Sequence, residues 1–136
     1  MRHVTTIRVR FSDTDMFGHV NNARYFTYME EARVKFLEDV VGADELPTIL
    51  ASAKVDFRGQ TFFRDCVRIE TWISRIGHKS FEFSYRMTRD NTGELLFEGS
   101  TVLVCYDYER MESIPIPPEW RVKLEEYLEP LDTPAY

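Results

Sequence analysis

Acidic, imidazole and amide side chains are gathered in one short segment, FSDTDMFGHVNN, which runs from Phe11 to Asn22. A carboxylate such as Asp15 can activate a water molecule or attack a carbonyl carbon directly. His19 can exchange a proton near neutral pH, and the side-chain amides of Asn21 and Asn22 can orient a reactant. The segment is therefore a candidate site for proton transfer or acyl transfer.

The elements on either side place this segment at the start of a long helix. Residues 4–11 alternate between apolar side chains and arginines, which predicts a half-buried strand. From residue 22 to residue 41 the period changes to three or four, which predicts an amphipathic helix of about 20 residues and about 30 Å. Asn21 or Asn22 can cap this helix, and Gly42 can end it. The apolar positions of the helix are Tyr25, Phe26, Met29, Ala32, Phe36, Leu37, Val40 and Val41.

The rest of the chain reads as strands followed by a short helix. Strand patterns cover residues 49–58, 67–73, 81–87 and 95–106, and Pro117 and Pro118 suit the first turn of a helix. Short turns between consecutive strands make an antiparallel sheet, and the long helix must bury its apolar face against that sheet. The expected fold class is α+β, with a five-stranded antiparallel sheet wrapped around one helix in a single domain over residues 1–136.

The position of the polar segment favours acyl transfer from sulfur. The first backbone N–H groups of a helix lack intrahelical partners, and the helix dipole favours negative charge there, so a developing oxyanion can be stabilised. Asp15 comes seven residues before Asn22, close to this helix end. A thiol with a pKa of about 8.5 departs as a thiolate with little protonation, and a G-x-S-x-G nucleophile elbow is absent from the sequence. If the leaving group is a thiol, one carboxylate and a few oriented donors are therefore enough to cleave a thioester.

The run from Asp15 to Tyr25, DMFGHVNNARY, closely resembles the D-x-x-G-H-V-N-N-x-x-Y signature of the hotdog-fold acyl-CoA thioesterases, the 4-hydroxybenzoyl-CoA thioesterase-like superfamily. Element order and length match from about Val4 to Tyr108. The resemblance implies the hotdog fold and hydrolysis of an acyl-CoA thioester to a carboxylic acid and free coenzyme A. It also implies a homodimer or homotetramer that binds coenzyme A at a subunit interface.

The resemblance also assigns roles to residues of the motif. Asp15 takes the position of the catalytic carboxylate, which is described as nucleophile or as general base in different members. Gly18 corresponds to the glycine of the tight turn, and Tyr25 to an aromatic residue near the acyl pocket. Three further residues match positions that hold the turn or position water and substrate: His19, Asn21 and Asn22.

Other substrate contacts are expected outside the motif. Phe17 is expected to shape the acyl pocket together with Tyr25, and Phe62 and Phe63 to cover that pocket or to pack in a subunit interface. In the resemblance, the turn at residues 77–80 lies where many members contact coenzyme A. Lys79 and Ser80 are therefore the expected coenzyme A contacts.

Several alternatives stay open at this point. Asp13 is expected to be solvated or part of a turn, and Glu30 and Glu31 rank below Asp15 because they lie near the polar side of the helix. His19 serves equally well as a turn residue bonded to backbone. The scaffold also suits a non-catalytic sensor of acyl-CoA or acyl carrier protein, and a hydratase or dehydratase that uses an Asp/His pair.

Composition excludes several partners. The net charge of −6 repels polyanions, which argues against nucleic acid, and apolar runs fall short of the roughly 20 residues that cross a bilayer. Cys66 and Cys105 are expected to be buried thiols in a reducing compartment, which favours a cytoplasmic protein. No metal and no cofactor are expected, because two separated cysteines and three histidines make a poor ligand set.

Overall fold

The computed structural model describes residues 1–42 and 47–130 of the 136-residue chain. A 3-10 turn, Phe11–Asp13, precedes the long helix, whose last turn, Leu37–Val41, is π-helical. The strands and α-helices are β1 (His3–Arg8), α1 (Arg24–Phe36), β2 (Thr48–Phe57), β3 (Cys66–Ile76), β4 (Ser80–Arg89), β5 (Leu95–Asp107), β6 (Glu112–Ser113) and α2 (Pro118–Glu125).

The strands form one curled antiparallel sheet in the order β1-β3-β4-β5-β2, and β6 pairs with the end of β5. This arrangement confirms the predicted sheet wrapped around a helix with a short C-terminal helix. The two-residue strand β6 was not predicted, because two residues are too short to carry a periodic pattern. Among the described strands, β1 and β2 lie at the edges of the main sheet, so each has one backbone edge without a described partner strand.

The long helix lies against the concave face of the sheet. Tyr25, Met29, Ala32 and Phe36 are buried, as their spacing predicts. Phe26 was wrongly placed in this apolar stripe, because it lies about 100° around the helix from Tyr25 and is 44% exposed. The predicted end of the helix is confirmed by Gly42, which has a φ of 77° and donates its N–H to the carbonyl of Leu37 at 2.9 Å.

The edge strand β2 departs from the predicted alternation. The register with β5 shifts between Leu50 and Ser52, which places a bulge in the strand. Because of this bulge, Ile49 pairs with Val104 on the outer face, whereas Ala53 pairs with buried Thr101 on the inner face. The prediction that Ile49 and Ala53 share one face is therefore wrong.

The two cysteines lie in different environments, and both are free. Cys105 is buried as predicted, and this burial raises the pKa of its thiol to about 11. Cys66 is exposed, contrary to the prediction, because it pairs with Arg8 on the outer face while the next residue, Val67, is buried. Within the described residues, no helix has both the length and the apolar character needed to cross a membrane.

Candidate active site

Residues 13–21 form a tight hairpin between the 3-10 turn and α1. Asn21 donates its N–H to the carbonyl of Asp13 at 2.9 Å, and Asp15 donates its N–H to the carbonyl of His19 at 2.7 Å. Gly18 closes the turn by donating to the carbonyl of Asp15 at 3.2 Å. Its φ of 84° is one that L side chains rarely adopt, whereas a Cβ there would meet open space. Glycine is therefore required at position 18 for backbone conformation rather than for room.

The Asp15 side chain is held by the turn that follows it. Its Oδ1 accepts the backbone N–H of Phe17 at 2.8 Å and that of His19 at 3.3 Å. Its second oxygen, Oδ2, has no hydrogen-bond partner among the described residues. Because one oxygen fixes the carboxylate while the other is open, Asp15 can orient and deprotonate a water molecule or attack a carbonyl carbon itself.

A neighbouring loop closes the space beside Asp15. Val20 donates its N–H to the carbonyl of Thr61 at 2.7 Å, and the hydroxyl of Tyr25 donates to Thr61 Oγ1 at 2.9 Å. The ring of His19 packs edge-on against Phe62, with 5.3 Å between ring centroids. The result is a cavity of about 400 Å³, lined by Asp15, His19, Val20, Asn21, Asn22, Tyr25, Gly59, Gln60 and Thr61.

The start of α1 offers fewer free donors than the sequence suggests. Asn21 Oδ1 accepts the N–H of Ala23 at 3.0 Å, and the carbonyl of Asn21 accepts the N–H of Arg24 at 2.8 Å. The N–H of Tyr25 is bonded to the carbonyl of Asn22 at 3.3 Å. The N–H of Asn22 has no acceptor within residues 1–42 and 47–130. Asn21 therefore holds the turn before the helix. The N-cap of α1 is Ala23, which has no side-chain cap hydrogen bond, so the prediction that Asn21 or Asn22 caps the helix is wrong. Asn22 lines the cavity, and its N–H is a candidate donor to a substrate oxygen.

One polar contact next to the site, between Asp13 and Tyr28, is not predicted from the sequence. Asp13, expected to be solvated, is buried, and it accepts the hydroxyl of Tyr28 at 2.8 Å. Burial raises the pKa of Asp13, but hydrogen bonds from Arg10 and Tyr28 outweigh it and hold the pKa below its usual value. Tyr28 comes three residues after Tyr25, so helical spacing could have placed it near the sheet side of the helix. Gly59, Gln60 and Thr61 carry no motif that could have revealed them.

Comparisons with known proteins identify the family of the chain. Residues 9–124 match the family model of the thioesterase-like superfamily. The chain belongs to this superfamily. Over 127 residues it is 28% identical to the long-chain acyl-CoA thioesterase FadM of Escherichia coli strain K12, and the alignment covers 90% of this chain and 96% of FadM.

Solved structures of thioesterases share the fold of this superfamily member. A predicted thioesterase from Bacillus stearothermophilus superposes with a TM-score of 0.89 at 25% identity, covering 97% of this chain and 100% of that chain. A thioesterase from Thermus thermophilus, solved in complex with coenzyme A and Zn, gives a TM-score of 0.81 at 27% identity, covering 91% of this chain and 92% of that chain. The fold is the hotdog fold that the motif indicated.

In this superfamily member, three aromatic residues near the site lie outside the cavity. Phe17, expected to shape the acyl pocket, is 77% exposed and does not line the cavity. Phe63 stacks edge-on with Phe11 at 5.7 Å between ring centroids, and Phe62 contacts His19. Phe17 lies at the tip of the hairpin, within the turn that the bond from Gly18 to Asp15 closes, and this position explains its exposure.

Lys79 and Ser80 lie far from Asp15 within one chain. The cavity adjoins the loop that enters β3, whereas Lys79 and Ser80 follow the other end of this strand. β3 has 11 residues, and at about 3.3 Å per residue it spans roughly 36 Å. Lys79 Nζ lies 3.4 Å from Ser113 Oγ. The structure therefore does not bring Lys79 and Ser80 together with the motif residues.

Proposed function

We propose that this protein hydrolyses acyl-CoA thioesters to a carboxylic acid and free coenzyme A, with Asp15 as its catalytic carboxylate. The observation that supports this most is the half-open carboxylate of Asp15 in a cavity at the start of α1, in a chain of the thioesterase-like superfamily. FadM, which aligns over nearly the whole chain, is a long-chain acyl-CoA thioesterase. An acyl-CoA is therefore the proposed substrate here.

The chemistry needs few groups. The thioester carbonyl oxygen points at the Asn22 N–H and the positive end of the helix dipole, which stabilise the charge that develops on it. In one route, Asp15 takes a proton from water as the water oxygen bonds to the carbonyl carbon; the carbon–sulfur bond then breaks, and coenzyme A leaves as a thiolate that takes up this proton. In the other route, Asp15 attacks the carbonyl carbon and displaces the thiolate. Water then hydrolyses the acyl-aspartyl anhydride, which releases the carboxylic acid, restores the Asp15 carboxylate and supplies the proton for the thiolate. His19 and Tyr25 shape the cavity around the acyl group.

A panel of acyl-CoA substrates, aliphatic and aromatic and of graded chain length, tests this function by the release of free thiol. We expect steady turnover on at least one member. Tight binding without thiol release would instead indicate a sensor, and hydration of an enoyl-CoA without thiol release would indicate a hydratase. The structure gives the hydratase no support, because Asp15 bonds the main-chain N–H of His19 and not its ring.

We also propose that two copies associate along the free edge of β2. Within the part of the chain that the structure describes, this edge has no partner strand, and it carries apolar side chains that are 39% exposed at Ile49 and 46% exposed at Leu50 and Phe57. Unpaired apolar edges of this kind favour pairing with another strand. Phe57 also packs on Tyr25 of the cavity, with 5.4 Å between ring centroids. A second copy on β2 therefore lies beside the site, and we propose that it supplies Lys79 and Ser80 to a shared coenzyme A site.

The double variant Ile49→Lys/Leu50→Lys tests this assembly. Two positive charges on the edge oppose strand pairing, so we expect sedimentation to shift from a dimer or tetramer to a monomer. We expect kcat/KM for thioester hydrolysis to fall at least about tenfold, since the partner completes the site. Val122→Lys, at a 59% exposed position on α2, adds a charge elsewhere as a control. A fully active wild-type monomer would contradict the proposed interface.

A further inference from the structure

Asp13 is the buried acid next to the proposed site, and it has a well-formed set of partners. It is 1% exposed, and its carboxylate accepts the Tyr28 hydroxyl at 2.8 Å. Arg10 supplies the other donors, its backbone N–H at 3.1 Å, its Nε at 3.4 Å and its Nη2 at 3.0 Å. Each oxygen of this buried carboxylate is therefore bonded, as burial of a charge requires.

The main chain of Asp13 is tied to the catalytic hairpin. Its carbonyl accepts the Asn21 N–H at 2.9 Å, which closes the base of the hairpin two residues before Asp15. The side chain bonds Tyr28, which lies one helical turn after Tyr25 on α1. Asp13 thus connects the base of the hairpin, through Asn21, to α1, through Tyr28. The start of α1 faces the proposed substrate site.

We propose that Asp13 and Tyr28 are positioning residues, whose hydrogen bond sets the hairpin against α1 so that Asp15 faces the cavity. This inference rests on the proposed function of Asp15. The hairpin has a second tie, between Val20 and Thr61, so loss of the Tyr28 hydroxyl leaves the hairpin attached but less precisely placed. A shift of about 1 Å in a reacting group can cost about a hundredfold in rate.

The Asp13–Tyr28 hydrogen bond should also affect how activity depends on pH, because charged and titratable groups surround Asp13. Arg10 and Tyr28 contact the carboxylate, Glu31 acts on Arg10 through space, and Tyr25 acts on Tyr28. Since Tyr28 lowers the pKa of Asp13 and burial raises it, removing the hydroxyl raises that pKa. Protonated Asp13 has no charge to pair with Arg10, so it holds the hairpin less firmly. As the pH is lowered, the variant therefore loses activity at a higher pH than the wild type.

The variant Tyr28→Phe tests this inference. We expect kcat to fall between about tenfold and a hundredfold, KM to stay within about twofold, and the acid limb of the kcat profile to move to higher pH. Tyr85→Phe is the matched control, because it removes another buried hydroxyl, bonded to Thr101 at 2.7 Å in the core. It should reduce the melting temperature comparably and leave kcat and its pH profile unchanged.

A readout without substrate separates this inference from the proposed function. In Tyr28→Phe, we expect the Asn21 amide to exchange its hydrogen at least about tenfold faster than in the wild type, while amides of β4 keep their rates. Wild-type kcat, pH profile and Asn21 exchange in this variant would overturn the positioning role. If the wild-type protein releases no thiol from any substrate, the proposed function fails, and the exchange rate still decides whether this bond holds the hairpin.

Discussion

Replacing Asp15 with asparagine is expected to lower kcat for thioester hydrolysis by about a hundredfold to ten-thousandfold, the range typical of a positioned acid–base group. The side-chain oxygen of asparagine can still accept the N–H groups of Phe17 and His19, so the turn stays in place. What is lost is the negative charge that deprotonates water or attacks the carbonyl. KM should therefore change little, and steady-state thiol release over the preferred substrate measures both quantities.

Asp107 provides a matched control for this substitution. Its Oδ1 accepts the backbone N–H groups of Glu109 at 2.9 Å and Arg110 at 3.1 Å, in the same kind of turn as Asp15. Asp107→Asn removes a comparable charge from a turn that does not line the cavity, so its kcat should equal that of the wild type. An Asp15→Asn variant with more than about a tenth of wild-type kcat would remove Asp15 from the catalytic role.

The secondary-structure elements that position the site can be predicted from the sequence where the apolar repeat extends over several turns. The stripe from Tyr25 to Phe36 identified α1, because four buried positions repeat over three turns. The motif residues Asp15, His19 and Asn22 line one cavity, because they lie within eight residues of sequence directly before that helix. Ile49 was misplaced because a one-residue bulge inverts the faces of β2 without leaving a signal in the side-chain pattern.

Whether Asp13 and Asp15 are buried depends on residues that are distant in the sequence and close only in the folded protein. Asp13 and Asp15 are two residues apart and of the same type, yet one is buried and the other exposed. The difference comes from Tyr28, which approaches Asp13 only once α1 has packed on the sheet. The cavity wall at Thr61 likewise depends on how β2 and β3 are joined. Helical spacing can place Tyr28 near the sheet side of α1, but local patterns do not identify the partner in such a tertiary contact.

Phe36, at the end of α1 away from the proposed site, is expected to affect stability but not catalysis. We expect Phe36→Ala to lower the free energy of unfolding by about 3–5 kcal/mol, as for other buried phenylalanines. Phe36 is fully buried, and its ring packs edge-on against Phe83 at 5.2 Å and Tyr127 at 5.0 Å. Alanine would leave a cavity between the helix, the sheet and the segment after α2. Urea denaturation followed by circular dichroism measures the loss.

The same variant should leave the chemistry intact at temperatures where it is folded. Phe36 lies 11 residues after Tyr25, or about 16 Å along the helix, and it does not line the cavity. We therefore expect kcat within about twofold of the wild type. Val34→Ala, at a position 36% exposed on the same helix, should cost less than about 1 kcal/mol. Equal losses of stability in the two variants would mean that α1 does not pack on the sheet through Phe36.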